Sequence, residues 1–140
     1  NGEEGLSPYK LQEELQEIME QNVGIVRTEE GLQNGIDELN ALSKKLTNLR
    51  TTGSRKYNPG WHLCLDLHNM VIASKAVASA ALERTESRGA HTRLDYPNYD
   101  DVFETLNIII RKSPDSMSVV RAPLTKMPSD LSDFVQKEAV

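Results

Sequence analysis

The chain has 140 residues, of which 26% are charged and 38% hydrophobic, and its formal net charge is -5. This length predicts a single domain with a hydrophobic core. The acidic balance argues against nucleic acid as the main partner, because phosphate binding needs a basic surface.

The first predicted helix begins at Ser7 and Pro8, because serine suits the N-cap and proline suits the first helical position. Further along, apolar residues recur at three- and four-residue steps and form one stripe of an amphipathic helix. The stripe consists of Leu11, Leu15, Ile18, Met19, Ile25 and Val26.

The second predicted helix has its N-cap at Thr28, directly after that stripe. Glu29 and Glu30 lie near the positive end of its dipole, and Gly53 is expected to close it. Its apolar stripe consists of Leu32, Ile36, Leu39, Leu42, Leu46 and Leu49. Because almost no linker separates the first two helices, we expect a tight antiparallel turn or a sharp kink between them.

The third predicted helix opens at Asn58 and Pro59, which repeat the pattern of cap and proline, and is expected to end at Gly89. Its apolar positions are Leu63, Leu67, Met70, Val71, Val77, Ala78, Ala81 and Leu82. It would run for about 28 residues, or about 40 Å, against about 30 Å for each of its partners. The extra length predicts contact with a neighbour outside the bundle.

The tail after residue 97 has a different composition. The β-branched runs "LNIIIRK" and "MSVVRAPL" flank residues 113–116, which are typical of a turn. They predict a β-hairpin that packs on the bundle, because a lone hairpin is marginal in water. The final stretch "SDLSDFVQKEAV", residues 129–140, predicts a weakly formed helix.

Together these elements predict a mainly α fold, a three-helix up-and-down bundle that is spectrin-repeat-like in layout, with a C-terminal β-hairpin tail. The bundle is assigned to residues 1–97 and the tail to residues 98–140, within one structural domain. No apolar run reaches the roughly 18 residues that indicate a membrane-spanning helix. No secretory leader is visible, and because the sequence begins with Asn1 we expect a piece of a longer polypeptide.

His62, Cys64 and His68 offer metal-ligating atoms in a pattern that does not favour a metal. His62 and His68 lie on different sides of a helix, and no fourth ligand accompanies them. We therefore predict a core cysteine with surface histidines and no metal site. A single cysteine also excludes an internal disulfide and indicates a reducing compartment.

Ser87, His91 and Asp95 are the residue types of a catalytic triad, but no nucleophile elbow precedes Ser87. The sequence contains no G-x-G-x-x-G or Walker pattern, so we do not expect it to bind a dinucleotide through the usual loop. The sequence therefore predicts neither catalytic nor cofactor-binding residues within this chain.

The stretch "ESRGAHTRLDYP", residues 86–97 and here called the charged segment, carries more charge than a helix end requires. In an extended conformation His91, Arg93 and Asp95 lie on one side. One interpretation is that the arginines cap the carbonyl groups of the third helix and pair with Glu86 and Asp95.

The other interpretation is that the charged segment contacts another domain, since the planar guanidinium group suits fixed bidentate contacts. The candidates for such interdomain contact are Glu86, Arg88, His91, Arg93 and Asp95. We expect Arg88, His91 and Arg93 to face outward, near Trp61 or the exposed end of the third helix.

The charged segment strongly resembles a signature near the end of the flavoprotein subunits of succinate dehydrogenase and fumarate reductase. The stretch "LQEELQEIMEQNVGIVRTEEGLQNGIDEL" is similar to the first two helices of that family. The stretch "YNPGWHLCLDLHNMVIASKAVASAALERTESRGAH" is similar to its third helix. The resemblance covers residues 8–97 in matching order, and the tail is less specific.

This resemblance implies that the chain is the C-terminal helical domain of such a subunit. The FAD would be bound by a missing upstream domain, and the substrate would bind between that domain and a capping domain. The implied partners are the upstream flavin domain, an iron–sulfur subunit and membrane-anchor subunits, with electrons passing to quinone. The implied location is peripheral, on the cytoplasmic side of a bacterial inner membrane, and the isolated chain is expected to be inactive.

Two other classes stay open at this point. L-Aspartate oxidase and adenylylsulfate reductase share a three-helix domain and a similar motif, so the parent protein could be a flavoenzyme of the aspartate oxidase type. A free-standing helical interaction module without a catalytic role is the other alternative. The full reading frame and its neighbouring genes would separate the three.

Overall fold

The structure is a computed structural model, and it describes residues 5–114, 116–128 and 131. The helix expected at residues 129–140 therefore lies outside the described residues, apart from Leu131. Three long helices dominate the rest: α1 (Pro8–Val23), α2 (Glu29–Lys45) and α3 (Pro59–Glu83).

The three helices pack against one another as the predicted up-and-down bundle. Asn22 at the end of α1 donates to Glu38 in the middle of α2 at 3.1 Å, whereas Glu14 in the middle of α1 pairs with Lys45 at the end of α2, so the two helices are antiparallel. The predicted N-cap positions Ser7, Thr28 and Asn58 are confirmed, although the Ser7 side chain makes no cap hydrogen bond. Thr28 Oγ1 accepts the Gly31 N–H at 3.1 Å, and the Asn58 side chain accepts the Trp61 N–H at 3.1 Å.

The core lies between the three helices and is almost entirely aliphatic. It consists of Leu11, Leu15, Ile18, Val23, Leu32, Leu39, Leu42, Leu46, Leu49, Leu67, Val71, Ala78 and Ala81. Gly35 lets α1 and α2 approach closely, since a Cβ atom there would lie 2.8 Å from Asn22 Cβ and 3.1 Å from Val23 Cγ2. The predicted apolar stripes thus form the core over most of their length.

All three predicted helix ends are wrong, and each helix is shorter than expected. The first helix ends at Val23, so Ile25 and Val26 leave the stripe and are 68% and 60% exposed. The second ends at Lys45, and a 3-10 turn (Leu46–Asn48), not Gly53, finishes it. The third ends at Glu83, six residues before Gly89, where the sequence predicted its end.

Two small sheets complete the fold. Strands β1 (Val26–Arg27) and β2 (Thr92–Arg93) pair in parallel, and they join the α1–α2 connection to the charged segment. Strands β3 (Leu106–Lys112) and β4 (Met117–Pro123) form the predicted antiparallel hairpin. A short helix that the sequence analysis did not predict, α4 (Asp101–Glu104), precedes the hairpin.

The hairpin packs on α3, as expected for a two-stranded sheet that needs support. Arg121 of β4 donates to Glu83 at 2.6 Å, and the buried Phe103 of α4 lies beneath two guanidinium groups. Arg84 and Arg121 lie 5.2 and 5.0 Å from its ring centroid. Among the described residues, none of the helices combines the length and apolar character that a membrane crossing requires.

Candidate functional site

The charged segment begins just beyond the end of α3 and folds back on it. Arg88 and His91 exchange backbone hydrogen bonds of 2.8 and 3.0 Å around a tight turn. Gly89 occupies this turn with φ of +59°, a left-handed conformation that glycine adopts without steric cost. Gly89 therefore serves a turn and not the end of the helix, which corrects the predicted stop.

Arg93 is fully buried and caps the C-terminal end of α3. Its guanidinium group donates to the Ala81 and Leu82 carbonyl oxygens at 3.1 Å each, and to the Arg84 carbonyl at 3.3 Å. These are among the carbonyl groups that a helix end leaves without internal partners. The same group forms a bidentate pair with Asp95, at 2.8 and 2.7 Å.

Asp95 connects this cap to the start of α2. Its carboxylate accepts the Glu29 backbone N–H at 2.8 Å, at the positive end of that helix. The hydrogen bonds from Arg93 lower the pKa of Asp95 well below its ordinary range, against an opposing effect of burial. The carboxylate is therefore ionised at neutral pH.

Glu86 is a fully buried carboxylate that gathers donors from three places. Arg88 donates to it at 2.9 and 3.0 Å, the Asp100 N–H donates at 2.9 Å, and Arg84 also pairs with it. The hydrogen bonds from Arg88, more than any other cause, lower the pKa of Glu86 to about 2. Such a buried charge is tolerated only because all these donors compensate it.

His91 joins the charged segment to the connection between α1 and α2. Its Nε2 lies 3.1 Å from the Arg84 carbonyl oxygen, and its Nδ1 lies 2.6 Å from Arg27 Nη1. Because a carbonyl only accepts and a guanidinium only donates, the ring must be neutral with its proton on Nε2. Burial lowers the pKa of His91, and the charges of Arg27, Arg93 and Arg84 lower it further.

Arg27 also caps α1, since its Nε donates to the Gly24 carbonyl at 2.6 Å and to the Val23 carbonyl at 3.3 Å. The charged segment thus contacts the end of α1 through Arg27, the start of α2 through Asp95 and the end of α3 through Arg93. These contacts connect all three helices at one end of the bundle.

The structure brings together all five predicted residues, but the predicted outward orientation is wrong for Arg93. Its guanidinium is buried because the α3 carbonyls and Asp95 provide enough partners to offset the loss of water. Arg88 keeps a partly exposed side chain, which stacks 4.9 Å from the Tyr99 ring centroid. Trp61 lies on the first turn of α3, at the opposite end of that helix from the charged segment.

The sequence analysis missed Arg27 and Arg84 altogether. It considered Ser87 only as a catalytic residue and did not predict its structural role. Ser87 Oγ accepts the Arg93 N–H at 2.8 Å and donates to the Tyr96 carbonyl at 2.9 Å, so it stabilises the backbone, and within the described residues no hydrogen bond joins its side chain to His91. Arg84 was detectable as a cation beside the helix end. Arg27 lies 64 residues from His91, and no local signal connects them.

The histidines and cysteine of α3 do not gather into a site. His62 and His68 are exposed, Cys64 is half-buried, and His68 Nδ1 lies 2.8 Å from the Cys64 carbonyl oxygen. Within residues 5–114, 116–128 and 131, no group of three His, Cys, Asp or Glu side chains is placed to hold a metal ion.

Comparison with known families gives a match over most of the chain. Residues 12–131 match the family described as fumarate reductase flavoprotein C-term. The chain belongs to this family.

Relatives of known name agree with the family match. The chain is 36% identical over 96 residues to the succinate dehydrogenase flavoprotein subunit of Coxiella burnetii. The aligned region covers 68% of the chain and 16% of that subunit. It is 30% identical over 130 residues to the fumarate reductase flavoprotein subunit of Mycobacterium tuberculosis, covering 89% of the chain and 22% of the relative. The chain thus spans less than a quarter of each of these relatives.

Solved structures show the same fold. Mycobacterium smegmatis Sdh1 in complex with UQ1 superposes with a TM-score of 0.85 at 38% identity, over 95% of this chain and 23% of that one. E. coli quinol fumarate reductase superposes with a TM-score of 0.81 at 29% identity, over 91% and 23%. Adenylylsulfate reductase of Archaeoglobus fulgidus, at 20% identity, shares the fold with a TM-score of 0.79 over 90% and 20%.

Proposed function

We propose that this chain is the C-terminal domain of the flavoprotein subunit of a succinate dehydrogenase or fumarate reductase. The whole protein would interconvert succinate and fumarate and pass electrons through FAD and iron–sulfur centres to quinone. The observation that carries the proposal is the likeness to Mycobacterium smegmatis Sdh1, at 38% identity over 95% of the chain. One related structure is a complex with UQ1, and another, a quinol–fumarate reductase, holds menaquinol molecules.

In this proposal the domain supports the flavin domain and takes no part in the chemistry. The FAD would be bound by the upstream part of the polypeptide. The contacts of the charged segment support a structural role, because Glu86, Arg93 and Asp95 use their hydrogen bonds within the chain. Glu86, Arg88, His91, Arg93 and Asp95 would act on the flavin domain by fixing the shape of this end of the bundle.

The proposed partners are the flavin domain of the same polypeptide, an iron–sulfur subunit and membrane-anchor subunits. The protein would then lie peripherally on the cytoplasmic side of a bacterial inner membrane. Support for this assembly comes from the related succinate dehydrogenase and quinol–fumarate reductase structures.

The test is to purify the full-length polypeptide and measure bound flavin and substrate-dependent reduction of an artificial electron acceptor. Succinate should reduce the dye, with L-aspartate as the matched control substrate. Oxidation of aspartate but not succinate would place the parent among the aspartate oxidases. A full-length protein that purifies without flavin, or whose reading frame encodes only this helical module, would reject the proposal altogether.

A further inference from the structure

Four large apolar side chains are exposed at the end of the bundle that carries the charged segment. They are Ile25, Val26, Leu94 and Tyr99, with exposed fractions of 68%, 60%, 64% and 71%. Val26 pairs with Thr92 across the small parallel sheet, so both side chains lie on its outer face, and Leu94 follows two residues later on the same face. We call this group the apolar strip.

The backbone of β1 is also open beside the apolar strip. Ile25 and Arg27 accept hydrogen bonds from Thr92 and Leu94 of the neighbouring segment, at 3.3 and 2.9 Å. In this parallel register the N–H and C=O of Val26 point away from β2. Neither group has a hydrogen-bond partner within the part of the chain that the structure describes.

The other edge of the sheet is closed. The Arg93 N–H donates to Ser87 Oγ at 2.8 Å, and the Arg93 carbonyl accepts the Tyr96 N–H at 3.2 Å. A further strand therefore has access to one edge only, the one formed by β1.

The support beneath the apolar strip is rigid. On the inner face of the sheet Arg93 is fixed by α3 and Asp95, and Arg27 is fixed by the end of α1 and by His91. Because these hydrogen bonds already hold the sheet in place, the exposed apolar surface needs little ordering before it binds, which reduces the entropic cost of association.

We propose that an extended segment from the upstream part of the same full-length polypeptide binds along β1. It would pair with the backbone of Val26 and cover Ile25, Val26 and Leu94, in the manner of strand addition to an open sheet edge. This inference rests on the proposed function, which gives the chain a large upstream region. The size of that region favours an upstream segment as the strand that binds β1, since more than three-quarters of each named relative lies outside the match.

The direct test is amide hydrogen exchange of the full-length protein, resolved at Val26 by overlapping peptides. A free, exposed N–H exchanges near the rate of an unstructured peptide, so strand addition should slow Val26 by at least about tenfold. Exchange at the unstructured rate would overturn the inference. Protection that appears only as the protein concentration rises would show that a second copy binds there, which would also overturn it.

Variants of the full-length protein provide a second, independent test of strand addition at β1. Leu94→Asp should speed Val26 exchange by about tenfold or more, because it places a charge within the covered surface. The matched control is Leu65→Asp, since Leu65 is 52% exposed on α3 and lies outside the apolar strip. Equal effects of the two variants on Val26 exchange would contradict the inference.

Failure of this inference is distinguishable from failure of the proposed function. If the full-length protein holds flavin and oxidises succinate while the Val26 N–H exchanges freely, the proposed function stands and the inference about β1 is rejected. If the full-length protein has neither flavin nor succinate activity, the proposed function is rejected. The proposal that an upstream segment of a flavoprotein binds along β1 is then rejected with it.

Discussion

Arg93 shows how a single buried cation can organise one end of a helical bundle. Its guanidinium group contacts three carbonyl oxygens at the end of α3 and both carboxylate oxygens of Asp95. The guanidinium group is fully buried, so its contacts with the helix carbonyl groups are screened less than surface ion pairs are, whereas 28% of the Asp95 side chain stays exposed. The energetic cost of losing Arg93 therefore includes the charge left behind on Asp95.

We expect Arg93→Ala to lower the free energy of unfolding of this chain by about 1.5 to 3 kcal/mol, the range typical of hydrogen bonds to a charged group, because the Asp95 carboxylate left behind is partly exposed to water. Urea unfolding followed by far-ultraviolet circular dichroism measures it. The matched control is Arg111→Ala on the exposed surface of the hairpin, which should change stability by no more than about 0.5 kcal/mol. A loss below about 1 kcal/mol for Arg93→Ala would show that the cap is dispensable.

The buried carboxylate of Glu86 predicts a specific acid sensitivity. Its pKa is lowered from 4.5 to about 2 in the folded chain, so its contribution is fully present above pH 4.5 and lost as the pH falls toward 2. The shift corresponds to up to about 3 kcal/mol of stability. Urea unfolding at a series of pH values should show a weaker dependence below pH 4.5 for Glu86→Gln than for the wild type. Identical slopes would argue against this assignment.

His91 predicts a second, milder sensitivity near neutral pH. Because its pKa is lowered in the folded chain, folding favours the neutral ring, and stability is complete above about pH 6.5 and declines below it. Nitrogen-15 NMR of the ring should show the proton on Nε2 and a titration midpoint below 6.5. A proton on Nδ1, or a midpoint above 6.5, would be incompatible with the contacts to Arg27 and Arg84.

The sequence identified the residues that meet at this end of the bundle but not how deeply they lie. Alternation along an extended segment places His91, Arg93 and Asp95 on one side, and the structure confirms that they converge. The alternation in the sequence carries no information on how deeply these side chains are buried, because their burial depends on the free carbonyl groups of α3 and on Arg27. The interpretation in which the arginines cap α3 and pair with Glu86 and Asp95 describes Arg93 better than an outward orientation does.

At the scale of the elements, caps were more informative than the ends of apolar stripes. Thr28 and Asn58 were recognised because their side chains satisfy free N–H groups in a way that leaves a local signature. Ile25 and Val26 were assigned to the first helix because their spacing continues the stripe. Their β-branched side chains suit a strand equally well, and periodicity alone does not separate the two.

The close approach of α1 and α2 at Gly35 was not recognised, because a glycine within a helix usually only weakens it. Alanine in an exposed helix is favoured over glycine by about 1 kcal/mol. At Gly35 the added Cβ would lie 2.8 Å from Asn22 Cβ, so the helices would have to separate.

We therefore expect Gly35→Ala to destabilise the chain by about 1 to 3 kcal/mol, as overpacking does. Thermal or urea unfolding measures the effect. The exposed neighbour Asn34 provides the control, since Asn34→Ala should be neutral or slightly stabilising through helix propensity alone. Stabilisation by Gly35→Ala would mean that the two helices are not held at this distance.

For the whole molecule, the length of the third helix proved a weaker guide than expected. At 25 residues α3 exceeds α1 and α2, which have 16 and 17, but its second half is partly covered by the chain's own hairpin through Arg121 and Glu83. The stronger evidence for a missing neighbour is the apolar strip together with the length of the relatives. Neither was visible in composition or periodicity, because both depend on tertiary pairing or on other sequences.

Our central claim rests on the proposed function: this chain, with its own N-caps and aliphatic core, is expected to fold by itself as the non-catalytic domain of a larger flavoprotein. The most direct measurement is the visible absorption spectrum of the purified chain after incubation with FAD and removal of free ligand, on a sample whose circular dichroism shows a cooperative helical melt. We expect a folded, colourless protein that does not reduce dye with succinate. Stoichiometric flavin absorbance on the folded chain would contradict the claim, and so would a chain without helical structure at neutral pH.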